Sequence, residues 1–187
     1  MQRFFKLLFL WAFFLTACTA IPASPPPVSP TSTETPIAVP TTAVPDPGSC
    51  GYQWAYQDLP ELSSSFQQSI QALQPEAQAT AFAFGENCLG NDGSVVRFIP
   101  METDFNITLQ VVDLTNESDL GEWIVKVMQV ITAIPSDQIV GPRPGRVSLF
   151  FQSGGEQTAV NFYINQYQEL PQGLSNAEIF QALQVPQ

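Results

Sequence analysis

The chain contains no histidine, and that absence removes more candidate chemistry than any other feature of its 187 residues. Histidine supplies the commonest general base, the relay of the common catalytic triads and a ligand in the common zinc sites, so those constellations are excluded. Cations are scarce as well, with six Lys and Arg against seventeen Asp and Glu. A surface of that sign repels phosphate backbones and anionic lipid heads, which excludes nucleic acid as a partner. No glycine loop suits a phosphate: Gly141-Pro142-Arg143-Pro144-Gly145 lacks the lysine and the following helix of a nucleotide-binding loop. Nothing in the sequence implies a cofactor or a resident metal. Long apolar runs are missing too; the longest, Leu7 to Leu15, is too short to span a bilayer.

That short run is nonetheless placed where it has meaning. Arg3 and Lys6 precede it, and Leu15-Thr16-Ala17-Cys18 closes it with small residues just ahead of a cysteine. This order resembles the signal peptide of bacterial lipoproteins, the class cut by signal peptidase II. The resemblance covers about a tenth of the chain. It implies that residues 1–17 are removed and that Cys18 becomes the lipidated first residue, an extracytoplasmic protein held to the cell membrane. Several acyl chains at about 0.8 kcal/mol per buried methylene hold firmly where one chain is marginal. The competing reading is an ordinary secretory signal cut near Ala20 or Ala23, with Cys18 incidental.

Residues 18–48 are expected to be a tether. From Thr19 to Gly48 there are nine prolines in thirty residues, and only Glu34 and Asp46 carry charge. Such a composition lacks the large apolar side chains that offset ordering entropy, and its prolines favour polyproline II. Residues 49–187 then have the length of one domain able to bury its own core. With the signal removed, four cations face seventeen carboxylates, a net charge of −13 for the mature chain.

Cys50 and Cys88 are expected to form a disulfide, because an extracytoplasmic location is oxidising. A nucleophilic thiol is a poor alternative with no histidine to activate it. Asp58 and Glu61 ahead of Leu62, Phe66, Ile70 and Leu73 predict a capped helix from Leu59 to Gln74, glutamine-rich side to water, ended by Pro75. Strands are predicted over Ala79–Glu86, Ser94–Ile99 and Thr103–Val112, the last alternating Phe105, Ile107, Leu109 and Val111 with polar residues. A helix over Glu117–Ile134, capped by Thr115 or Asn116, carries Leu120, Trp123, Ile124, Val127 and Ile131 on one stripe; Gly121 within it reads as a point of close packing. Two strands around Gly154-Gly155 and a short helix from Ser175 complete the chain. The fold class expected is α+β, a two-layer sandwich of mostly antiparallel sheet under two amphipathic helices, in the order α-β-β-β-α-β-β-α.

Three groups of residues are candidates for chemistry. Glu86, Glu102 and Asp104 lie at the ends of neighbouring predicted strands, where two carboxylates facing across a groove would suit a glycosidase-like envelope hydrolase; ordinary strand-end acidity explains them equally. Asp113, Asn116, Glu117 and Asp119 gather oxygens but lack the spacing and glycine of a calcium loop, and capping accounts for them. Tyr52, Trp54 and Tyr56 alternate after Cys50, which on an extended segment places three rings on one side. Such rings stack on sugar C–H faces in carbohydrate-binding modules; their ordinary fate is burial beneath the first helix. The function these features favour is a membrane-anchored, noncatalytic binding module for a cell-wall glycan or an envelope protein. The alternatives are the hydrolase and a structural scaffold for another envelope protein.

Overall fold

The computed structural model describes residues 50–184, so the signal segment, Cys18, the tether and Ser49 lie outside the described residues. Five strands form one mixed sheet in chain order. They are β1 (Gly51–Asp58), β2 (Gln78–Leu89), β3 (Val95–Gln110), β4 (Arg146–Ser153) and β5 (Glu156–Tyr163). Helix α1 (Pro60–Leu73) lies between β1 and β2, α2 (Glu117–Thr132) between β3 and β4, and α3 (Ile164–Gln168) and α4 (Asn176–Gln184) follow β5. The class is α+β, as expected. The order differs in the opening strand, in the merging of two predicted strands and in the added short α3, and one strand pairing is parallel.

First, the chain opens on a strand. The segment carrying the three rings pairs antiparallel with β2 along its whole length, from Gly51 opposite Leu89 to Asp58 opposite Phe82. Asp58 is therefore the last ladder residue and not a helix cap; α1 starts at Pro60, whose fixed φ suits a first turn. Second, the predicted strands ending at Ile99 and beginning at Thr103 are one strand, β3. Pro100 sits inside it without breaking it, because the ladder with β2 slips by one residue at Phe84/Gly85 and β4 pairs with β3 only from Phe105 onward. A proline with no N–H is tolerated at such a bulge on a locally open edge. Third, β3 and β4 are parallel. α2 carries the chain back along the sheet, which a parallel neighbour requires. The other three pairings are antiparallel.

One set of alternating strand residues builds the core. Ala79, Ala81, Phe105, Ile107, Leu109, Val147, Leu149, Phe151, Val160 and Phe162 cluster with Leu62, Phe66 and Ile70 of α1, Leu120, Ile124 and Val127 of α2, and Phe180 and Leu183 of α4. Phe66 meets Phe105 edge to face at 5.0 Å. Every member of this cluster lies between Leu62 and Leu183. The alanines of β2 are its inward set, and the phenylalanines Phe82 and Phe84 are only half-buried on the opposite face.

The small residues of β2 let α1 approach closely enough to replace a strand. β1 ends at Asp58, so the first half of β2 has no neighbour on that side. Ser63 Oγ donates to the Ala81 carbonyl and accepts from the Ala81 amide, and the Gln67 amide does the same for the Ala77 carbonyl and the Ala79 N–H. Gln74 then spans the Gln110 backbone in the same manner. The glutamines of α1 do not all face water; Gln67 and Gln74 complete the backbone hydrogen bonding of the sheet, which buried peptide groups require.

Capping follows the sequence at the later helices. Asn116 Oδ1 accepts from the Asp119 N–H, and Asp113 Oδ1 accepts from the Thr115 amide and hydroxyl. Ser175 and Glu178 form a reciprocal box ahead of α4. Gly121 is buried where α2 crosses the start of α4. Among the described residues no helix is long and apolar enough to cross a membrane.

Candidate functional site: an aromatic and acidic sheet face

The register of β1, β2 and β3 assembles two of the three candidate groups on one face. Directly paired residues point the same way, so the rows read Tyr52–Cys88–Arg97, Trp54–Glu86–Ile99, Tyr56–Phe84–Glu102 and Asp58–Phe82–Asp104. The rings do not pack beneath α1. Tyr52, Trp54 and Tyr56 remain 58%, 59% and 60% exposed. The reason is parity: the side chains of β1 that share the core-facing parity are Gln53, Ala55 and Gln57, and the rings take the other.

Phe82 and Phe84, legible in the sequence as one face of a strand but absent from the candidate groups, hold two of the three rings, Trp54 and Tyr56, in place. Trp54 stacks on Phe84 with centroids 5.2 Å apart and planes 14° apart. Tyr56 meets Phe84 at 5.0 Å and Phe82 edge-on at 5.4 Å. Offset and edge-to-face pairs of this kind contribute about 0.5–1.5 kcal/mol each beyond area burial. The signal was present in the sequence, since Phe82 and Phe84 alternate with alanines at a strand period; only the identity of the inward set was hidden. At the outer end of the row Cys50 and Cys88 are joined by a disulfide, Cα atoms 5.1 Å apart.

Glu102 and Asp104 sit two apart on β3 and are 6% and 4% exposed. A strap of chain between the 3-10 turn Ser136–Gln138 and β4 runs along the edge of β3 beside them. Thr103 Oγ1 exchanges hydrogen bonds with the Val140 backbone, the Arg143 N–H donates to Met101 O, and the Arg146 N–H donates to Asp104 Oδ1 at 2.7 Å. Arg143 Nη2 lies 3.3 Å from Glu102 Oε2. Two glycines permit the approach: a Cβ on Gly145 would overlap the Thr103 carbonyl, and one on Gly141, whose φ is +87°, would overlap Met101. Burial raises the Asp104 carboxyl above its ordinary value, opposed by the Arg146 hydrogen bond and the two arginine charges. Burial and the neighbouring Asp104 charge raise Glu102, opposed by Arg143 and Arg146.

The third expected carboxylate, Glu86, lies one row away, opposite Trp54 and half-buried. All three are thus on the ring face, but Glu102 and Asp104 are occupied in fixing the strap. The residues proposed and set aside for calcium are accounted for by the Asx turn at Asp113 and the cap at Asn116. Where β1 passes into α1 there is an open depression of about 610 Å³ edged by Gln57, Asp58, Glu61, Ser65 and Gln138. No protein-family model, curated protein or solved structure matches the chain.

Proposed function

We propose that the protein is a lipid-anchored, extracytoplasmic binding module whose ligand surface is the ring face of β1 and β2. The lipobox-like Leu15–Cys18 and the proline-rich stretch after it support the anchor and the spacer. A two-layer arrangement, with helices over the core face of the sheet and, among the described residues, none over the rings, is the architecture consistent with the burial pattern. One observation carries the reading: three aromatic side chains on alternate positions of β1 are exposed, and two of them, Trp54 and Tyr56, are held by ring contacts with Phe84 and Phe82 of β2.

The size of the patch selects among occupants. Rings that bury roughly 150–250 Å² each, about 60% exposed, offer on the order of 300–450 Å². That equals the largest apolar patch of a typical monomer, which is often functional. It falls short of the roughly 800 Å² per partner of a stable protein interface. A carbohydrate chain stacking its C–H faces along the row fits the area, whereas a scaffold role would need more surface.

The test is thermal unfolding of Ser49–Gln187 with a panel of cell-wall glycans, since a ligand preferring the native state raises apparent stability by mass action. A shift with a glycan that disappears in Trp54→Ala supports the reading, and no shift with any glycan sinks it. A hydrolase is the second reading, favoured by two adjacent carboxylates with raised pKa values on the same face. Turnover of a bound oligosaccharide that Glu102→Gln abolishes would select it.

A further inference from the structure

The rings are interleaved with uncompensated carboxylates, and this bears on which glycan the face accepts. Glu86 pairs across the ladder with Trp54, and Asp58 pairs with Phe82 beside Tyr56. Among the described residues the ion pairs are Lys126–Glu122 and Arg143–Glu102, so neither Glu86 nor Asp58 has a cation within 4.0 Å. From Trp54 to Asp58 the rings of β1 stand beside the unpaired Glu86 and Asp58. Of the described cations, Arg143 is paired with Glu102 at the β3 end of the Tyr56 row, and Arg97 stands in the Tyr52 row at the far end.

Both features attract the same chemistry. A ring quadrupole draws a cation to its face, and an unpaired carboxylate completes the site by charge and hydrogen bonding. We propose that the ring face takes a glycan whose sugars carry protonated amines, a chain of glucosamine-type units, in preference to a neutral or an acidic glycan. The inference rests on the binding reading above and specifies its ligand. Linear presentation favours a sugar chain over a lone ammonium: alternate residues of a strand are about 6.6 Å apart, so three rings define a track about 13 Å long. The apolar C–H faces of the sugars lie on the rings while their amines reach Glu86 and Asp58. Acidic glycans are repelled by the same two residues.

The experiment is titration of Ser49–Gln187, followed by Trp54 fluorescence and calorimetry, with four probes of equal length at mildly acidic pH. These are a glucosamine oligomer, its N-acetylated counterpart, a galacturonate oligomer and oligolysine. The glucosamine oligomer is expected to bind at least about tenfold tighter than the N-acetylated one, a gap of about 1.4 kcal/mol, with no binding of the galacturonate. Glu86→Gln should reduce that gap, read as the ratio of the two affinities within the variant, to within about threefold. Trp54→Ala, which keeps every charge, should lose both. Equal affinity for the two glucosamine oligomers overturns this inference and leaves the glycan reading standing. Binding of none overturns both. Oligolysine binding as tightly as the glucosamine oligomer identifies a basic peptide and overturns the sugar. Retention of binding by Trp54→Ala reduces the effect to general attraction of polycations and overturns the proposal.

Discussion

Replacing Gly121 by alanine sets two known effects against each other, and the structure decides the sign. In an exposed helix interior the change stabilises by about 1 kcal/mol, because glycine is the poorer helix former. Gly121 lies where α2 meets the first residue of α4, and an added Cβ would fall 1.8 Å from the Asn176 carbonyl oxygen. To reach even 3.0 Å, Asn176 must retreat by 1.2 Å. That movement is opposed by the α4 anchors Phe180 and Leu183, 3% and 5% exposed, and by the Gln181 to Glu117 hydrogen bond between the two helices. Withdrawing the start of α4 exposes on the order of 50–100 Å² of apolar surface, which at about 25 cal/mol per Å² costs about 1–2.5 kcal/mol. Overpacking strain adds about 1–3 kcal/mol. After the propensity gain, the net loss is about 1–4.5 kcal/mol. For a domain of this size that lowers Tm by roughly 3–15 °C. The assay is thermal and urea unfolding of Ser49–Gln187 beside its Gly121→Ala variant. An unchanged or higher Tm would refute the reasoning, because it would mean that α4 is free to adjust and that the glycine has no packing role.

Four further outcomes follow from the same structure. Gln67→Ala should cost about 1–3 kcal/mol in urea unfolding, since it strands the Ala77 carbonyl and the Ala79 amide of β2; a loss below a few tenths would show that water replaces the side chain. Removing the Cys50–Cys88 crosslink, which closes a loop across a separation of 38 residues, should cost about 4 kcal/mol on the chain-entropy model. Intact mass of the oxidised domain should correspondingly show neither thiol free. Glu102 and Asp104 have raised pKa values when folded, so they contribute stability that is complete below their unfolded values and lost as pH rises through the folded ones. The Glu102→Gln/Asp104→Asn double variant should therefore gain Tm relative to wild type at neutral pH and lose that advantage on acidification below the ordinary carboxyl values of 4.5 and 3.8; an advantage that grows on acidification contradicts the assignment. Cys18→Ser should release the protein from the membrane fraction, and unchanged membrane association would count against the lipid anchor.

Much of the fold was legible because period and punctuation are local. The alternation through Phe105, Ile107 and Leu109, the stripe from Leu120 to Ile131, the Gly154-Gly155 turn and the Ser175–Glu178 box each state their element within a few residues. The pairing of Cys50 with Cys88 was legible by number, since residues 49–187 hold just these two cysteines. What depended on partners distant in sequence was not. A run such as Ala79 to Phe84 is equally amphipathic read either way, and only the arrival of Ser63 and Gln67 on β2 makes the alanines the inward set and turns Phe82 and Phe84 outward. The same holds for Pro100, which reads as a break until the slipped register at Gly85 accommodates it.

By itself, therefore, the sequence determined the exclusion of histidine chemistry, the acidic surface, the α+β element types and the disulfide, all set by composition or by short-range spacing. The tertiary structure alone decided that β3 and β4 run parallel, that Arg143 and Arg146 draw a strap beside Glu102 and Asp104, and that Tyr52, Trp54 and Tyr56 are exposed beside Glu86 and Asp58. The physical reason is that a strand shows one face or the other according to its register with neighbours, and register is a property of the assembled sheet.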